Sequence, residues 1–75
     1  MNTELLKRIE MNPKILCGKP VIKGTRISVE LILSDLALGR SFSDVIRDYE
    51  ITEDDVRSAL AYAHKLVANE ELIEV

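Results

Sequence analysis

The sequence predicts a mostly α fold: a three-helix, homeodomain-like or winged helix-turn-helix domain preceded by a short β-containing arm. Two features carry the helices. Apolar residues fall at helical spacing from Val29 onward, and a Ser/Thr-x-x-Asp capping pattern occurs twice, as "SFSD" at 41–44 and "TEDD" at 52–55. A third carries the arm: before Ser28 the apolar residues are β-branched and broken by glycine and proline, a pattern of short extended pieces and turns.

In chain order, residues 1–8 are a polar lead-in with at most one turn of helix, and "RIEMNP" (8–13) is a short strand stopped by the turn-prone pair Asn12-Pro13. "VIKGTRI" (21–27) reads as one or two extended pieces with a turn near Lys23-Gly24. Pro20 lacks a backbone donor, so a strand here starts after it or lies at an edge. Val29, Ile32, Leu33 and Leu36 then form one helical face, with Ser28 as the N-cap and Gly39 supplying the left-handed residue past the end. Leu31 and Leu38 fall off that stripe, so this helix is apolar on more than one side and suits a central position or one shared with a second chain.

The second helix starts at the Ser41 cap, with Phe42, Val45, Ile46 and Tyr49 as its stripe. The third starts at Thr52 and covers roughly 53–70, with Val56, Leu60, Ala63 and Val67 inward. Only Glu50, Ile51 and Thr52 lie between the two, a connection short enough for a helix-turn-helix. With 75 residues, one domain spanning 1–75 is expected, divided into an arm (1–27) and a helical part (28–75).

A domain of this size has a marginal core unless something adds contacts. Cys17 is the lone cysteine and His64 the lone histidine, so neither a disulfide framework nor a four-ligand zinc site can do so. Hydrophobic residues make up 47% of the chain, a surplus that a homodimer or higher oligomer would bury. No run approaches the length of a membrane span and no signal peptide opens the chain. With its unpaired cysteine, the chain is expected to be cytoplasmic, with no membrane partner.

The net charge of −3 conceals an asymmetry: residues 1–30 carry six Lys/Arg against three acids, and residues 31–75 carry four against ten. The glycines match neither GxxxxGK[ST] nor GxGxxG, no nucleophile-base signature surrounds Cys17 or His64, and the acids at 53–55 serve as helix-start groups. No enzyme activity and no cofactor or metal are expected. Tyr49 and Tyr62 are isolated packing aromatics, not a stacking platform for single strands.

In DNA-binding helix-turn-helix proteins the start of the second helix of the pair approaches the bases. Here that start is Thr52-Glu53-Asp54-Asp55, which would meet phosphates with carboxylates. The basic arm is the better candidate, through Lys19, Lys23 and Arg26, with Arg57 and Lys65 as further phosphate contacts. Gly18, Pro20, Gly24, Thr25 and Gly39 are read as shaping residues. Arg26 is equally open to a purely structural hydrogen-bonding role.

"GKPVIKGTRISVELIL" (18–33), "LALGRSFSDVIRDY" (36–49) and "ITEDDVRSALAYA" (51–63) resemble the domain-of-unknown-function family 433, over about residues 9–64. The resemblance implies small prokaryotic antitoxin-like helix-turn-helix proteins, some similar to VapB-type antitoxins encoded beside a PIN-like nuclease toxin. The chain departs from the family's frequent prolines at Ser28, Phe42 and Glu50; the last departure is expected to loosen the helix stop slightly. What the resemblance implies is an antitoxin that dimerises, neutralises a PIN-like toxin and represses its own operon by binding double-stranded DNA. In that reading Lys23 or Arg26 pairs with the toxin's metal-binding acids, or the tail "NEELIEV" (69–75) docks on a basic rim. The residues themselves leave open a stand-alone DNA-binding regulator and a purely structural dimerisation module.

Overall fold

The computed structural model describes residues 3–69. The chain runs through α1 (Thr3–Leu6), β1 (Ile9–Glu10), a tight turn at Leu16–Gly18, β2 (Val21–Ile22), α2 (Val29–Ala37), α3 (Phe42–Tyr49) and α4 (Glu53–Asn69). It is mostly helical with a small β-arm, a winged helix-turn-helix-like architecture. Among the described residues, no helix is long and apolar enough to cross a membrane.

The arm is more ordered than its length suggests. β1 and β2 pair antiparallel, Ile9 opposite Ile22 and Glu10 opposite Val21. β2 then turns back on itself: Ile22 N–H donates to the Ile27 carbonyl at 2.9 Å, and Val21 bridges to Ser28. Asn12 closes the expected turn, its side chain accepting from Lys14 N–H at 2.9 Å and its carbonyl from Ile15 N–H at 2.8 Å. Leu16, Cys17 and Gly18 follow at φ 47, 57 and 85°, three successive left-handed residues of which only the last is glycine. An L side chain in that region costs about 1–2 kcal/mol; the turn is closed by Gly18 N–H donating to the Ile15 carbonyl at 3.0 Å and Lys19 N–H to the Leu16 carbonyl at 3.2 Å.

The helical part follows its capping chemistry. Ser28 Oγ accepts from Leu31 N–H at 3.0 Å. α2 ends in a complete Schellman arrangement, with Gly39 at φ 94°, Gly39 N–H donating to Leu36 O and Arg40 N–H to Asp35 O, both at 3.0 Å. Ser41 and Asp44 exchange side-chain bonds with each other's backbone N–H, as do Thr52 and Asp55, so both helices of the pair start in capping boxes. The stop of α3 is not loosened by the missing proline. Glu50 adopts φ 55°, ψ 42°, its N–H reaches the Ile46 carbonyl, and Ile51 N–H bonds that carbonyl too. Proline cannot adopt that φ.

The core is small: Ile22, Val29, Ile32, Val45, Ile51, Val56 and Ala59 are buried together, drawing on β2 and α2–α4. Tyr49 and Tyr62 pack against it as expected of lone aromatics. Ser58, fully buried, satisfies its hydroxyl by donating to the Asp55 carbonyl at 2.7 Å. Asp35, Arg40, Asp48 and Tyr49 join the end of α2 to α3: Arg40 pairs with both acids, and the Tyr49 hydroxyl donates to Asp35. These contacts raise the Arg40 and Tyr49 pKa values, chiefly through the bonds to Asp48 and Asp35, and the Arg40 bond lowers that of Asp48.

Candidate nucleic-acid interface

The site is built on the hairpin formed by residues 21–28. Ile22-Lys23-Gly24-Thr25 is a turn closed by Thr25 N–H donating to the Ile22 carbonyl at 2.9 Å, with Gly24 at φ 80° in the third position. That is the type II pattern, which requires a left-handed residue there. Thr25 locks the rest: its Oγ1 donates to Ile22 O at 2.7 Å and accepts from Ile27 N–H at 2.9 Å. Lys23 N–H donates to the Arg8 carbonyl at 2.8 Å, which fastens the hairpin to the strand before it. The backbone of this wing is therefore fully specified by residues 22, 24, 25 and 27, while the side chains of Lys23 and Arg26 stand exposed on its tip. Neither forms an ion pair among the described residues.

The start of α4 lies beside this wing and is already engaged. Arg8 places its guanidinium 3.1 Å from Asp55 and 3.7 Å from Asp54, and α1 packs along the same helix. Lys23, Arg8, Lys7 and Arg57 share one open cleft with Glu4, Asp54 and Asp55. Carboxylates at the helix start are reason enough to doubt that this end enters a groove; the arm lying over it is a second, steric reason. No sequence pattern singles out Arg8. Its partners lie 46 and 47 positions away, and nothing local marks such a pair.

The remaining candidates are dispersed. Arg57 sits one turn inside α4, 3.6 Å from Glu53, on the wing side. Lys65 is exposed eight residues further along the helix, outside that cleft. Lys19 lies apart from the wing as well: its ammonium is 3.0 Å from Glu30, beside Pro20 and an apolar groove between α2 and α4. Gly18 belongs to the left-handed turn, Gly24 and Thr25 to the wing, and Gly39 to the α2 stop. The structure thus brings Lys23 and Arg57 to one cleft, carries Arg26 on the same hairpin as Lys23, and leaves Lys19 and Lys65 outside that cleft. Cys17 and His64 are both exposed, and no group of three or more His, Cys, Asp or Glu is placed to hold a metal among the described residues.

A helix pair with a three-residue turn, preceded by a short β-wing, is a winged helix-turn-helix-like module. The particular family follows from comparison: residues 9–63 match the model of the protein family of unknown function DUF433, and the chain belongs to that family. Its structure is similar to the X-ray crystal structure of Rv2018 from Mycobacterium tuberculosis, at 35% identity and a TM-score of 0.63. That likeness covers 69% of this chain but 24% of the other, so the module spans about a quarter of that longer chain. No curated protein matches the sequence.

Proposed function

We propose that the module is a DNA-binding regulator whose wing, rather than the start of α4, meets the duplex. The observation that carries this reading is the pair Lys23 and Arg26, exposed and without an ion-pair partner among the described residues, on a hairpin whose shape does not depend on them. Phosphate neutralisation by such cations supplies most non-specific affinity. Arg57, with Glu53 as its exposed partner, can be drawn into the same contact. The test is fluorescence anisotropy of the protein on a promoter duplex between 50 and 200 mM salt. Affinity should fall with a log–log slope of about −0.9 per phosphate neutralised. Replacing Lys23 and Arg26 by alanine should make that slope shallower by about one for each phosphate that is no longer neutralised. Absence of binding at 50 mM salt would end the proposal.

The antitoxin reading draws on the family resemblance and on the same two cations, which suit a cluster of metal-binding carboxylates such as a PIN-like nuclease carries. Co-expression with a nuclease encoded alongside should yield a complex of reduced nuclease activity. No complex and full activity would remove this reading without touching the first. The "NEELIEV" docking mode falls on residues 70–75, outside the described residues apart from Asn69.

A further inference from the structure

α4 is longer than the body it packs against. Residues 64–69 are all exposed, and among them Leu66 and Val67 leave 52% and 61% of their surface in solvent. The two form one end of an open groove of about 500 Å³ between α2 and α4, walled further by Val29, Leu33, Tyr62 and Ala63. Met11, 59% exposed, extends the apolar surface toward β1, its sulfur accepting from the Tyr62 hydroxyl at 3.8 Å. The charged groups lining the groove are Lys19 and Glu30, one of each sign, paired at 3.0 Å with 59% and 74% of their side chains exposed.

We infer that this groove is a homodimer face, in which the last turns of α4 from each chain seat Leu66 and Val67 in the α2–α4 groove of the other. A two-fold interface must be complementary to itself. This surface is: Leu66 and Val67 are exposed and also form part of the groove wall, so each chain offers both the projecting apolar side chains and the groove that receives their counterparts. A rim of one charge sign would repel its own copy, whereas a rim of one cation and one anion lets Lys19 meet the partner's Glu30 by the same rotation. Full burial is limited to a small cluster of aliphatic side chains, which leaves a domain of this size in need of such contacts. The groove shares no lining residue with the wing-side cleft, so pairing leaves Lys23 and Arg57 uncovered. Pairing through this face is independent of what the wing binds.

Sedimentation equilibrium of the full chain should give twice the 8.5 kDa chain mass at about 100 µM, a concentration chosen to populate dimers of micromolar affinity. A monomer at that concentration overturns the inference. Leu66→Glu and Val67→Glu change exposed side chains, so circular dichroism should show helix content retained while the dimer weakens by at least about 30-fold each, as expected of anchoring interface residues. An unchanged dimer in both variants places the interface elsewhere and overturns it too. The rim supplies a separate test. Lys19→Glu and Glu30→Lys each abolish the pair within a chain, but a mixture of the two variants restores it across a two-fold interface. With one variant labelled by ¹⁵N, native mass spectrometry should show the mixed dimer well above the statistical half; a statistical mixture refutes the exchanged rim pairs.

Discussion

Glu50 is the hinge residue of the helix pair, and replacing it with glycine should stabilise the protein. Its backbone sits at φ 55°, ψ 42°, where a side chain bearing a Cβ costs about 1–2 kcal/mol. Glycine occupies that region freely but loses more entropy on folding, a penalty of about 0.5–1 kcal/mol. The difference leaves a net gain of about 0.5–1 kcal/mol. A second contribution has the same sign, because a carboxylate at a helix C-terminus opposes the dipole. Glu50→Ala separates the two: it removes the charge and keeps the Cβ in the left-handed region. Urea denaturation followed by circular dichroism, with m-values compared, measures all three proteins. Glu50→Gly should exceed Glu50→Ala by about 0.5–1 kcal/mol, which for a domain of this length is about 2–8 °C in melting temperature. Equal stability of the two variants would refute the assignment of conformational strain to this turn. Glu50→Pro supplies the converse, with a loss of about 3 kcal/mol or more, since proline cannot reach the required φ and removes the N–H that bonds Ile46.

Thr52→Ala removes the side-chain acceptor for Asp55 N–H and should cost about 1 kcal/mol in the same denaturation assay. Ile32→Ala empties a fully buried site in α2 and should cost about 2–5 kcal/mol, a large part of what so small a domain has, leaving a broad or absent thermal transition. Asp44 is held below the usual carboxylate range first by the Ser41 backbone bond, and Asp48 first by Arg40. Because both folded values are depressed, their stabilising effect is present above the ordinary carboxylate range and is lost as pH falls through it. Asp48→Asn should therefore flatten the acid limb of a stability–pH curve. Tyr49 is shifted the other way by its bond to Asp35, so its contribution holds below the ordinary tyrosine range and fades as pH rises beyond it; Tyr49→Phe should flatten the alkaline limb.

The elements most legible in the sequence are those whose signals are local. Ser28, Ser41 and Thr52 each accept a bond from three residues ahead, and Gly39 closes α2 within one turn. Such contacts depend on residue type at a fixed short spacing, so reading them requires no knowledge of the tertiary fold. The winged helix-turn-helix class follows from them. Three features do not. The Arg8 clasp on Asp54 and Asp55 joins distant segments, and a cation in a polar lead-in has no pattern announcing its partner. The left-handed run at Leu16 and Cys17 uses residues that disfavour it, so local preference points away from the structure. Glu50 is similar: its αL geometry is imposed by the need to turn α3 into α4. For the candidate site, sequence supplies the cations but not their grouping. Lys19 and Lys23 are four positions apart and lie at different surfaces, because the strand beginning at Val21 carries the chain from one to the other.

The wing divides its labour cleanly between two sets of positions. Thr25 holds the loop's course through bonds to Ile22 and Ile27, Gly24 through its left-handed backbone, and the side chains of Lys23 and Arg26 take no part in that bonding. Residues 23 and 26 therefore form an interchangeable cassette: their chemistry can be rewritten while the scaffold's folding free energy stays nearly constant. Selection, or an engineer, can retune recognition there at little risk to the fold, whereas the same number of changes at 24 and 25 would dismantle the loop itself.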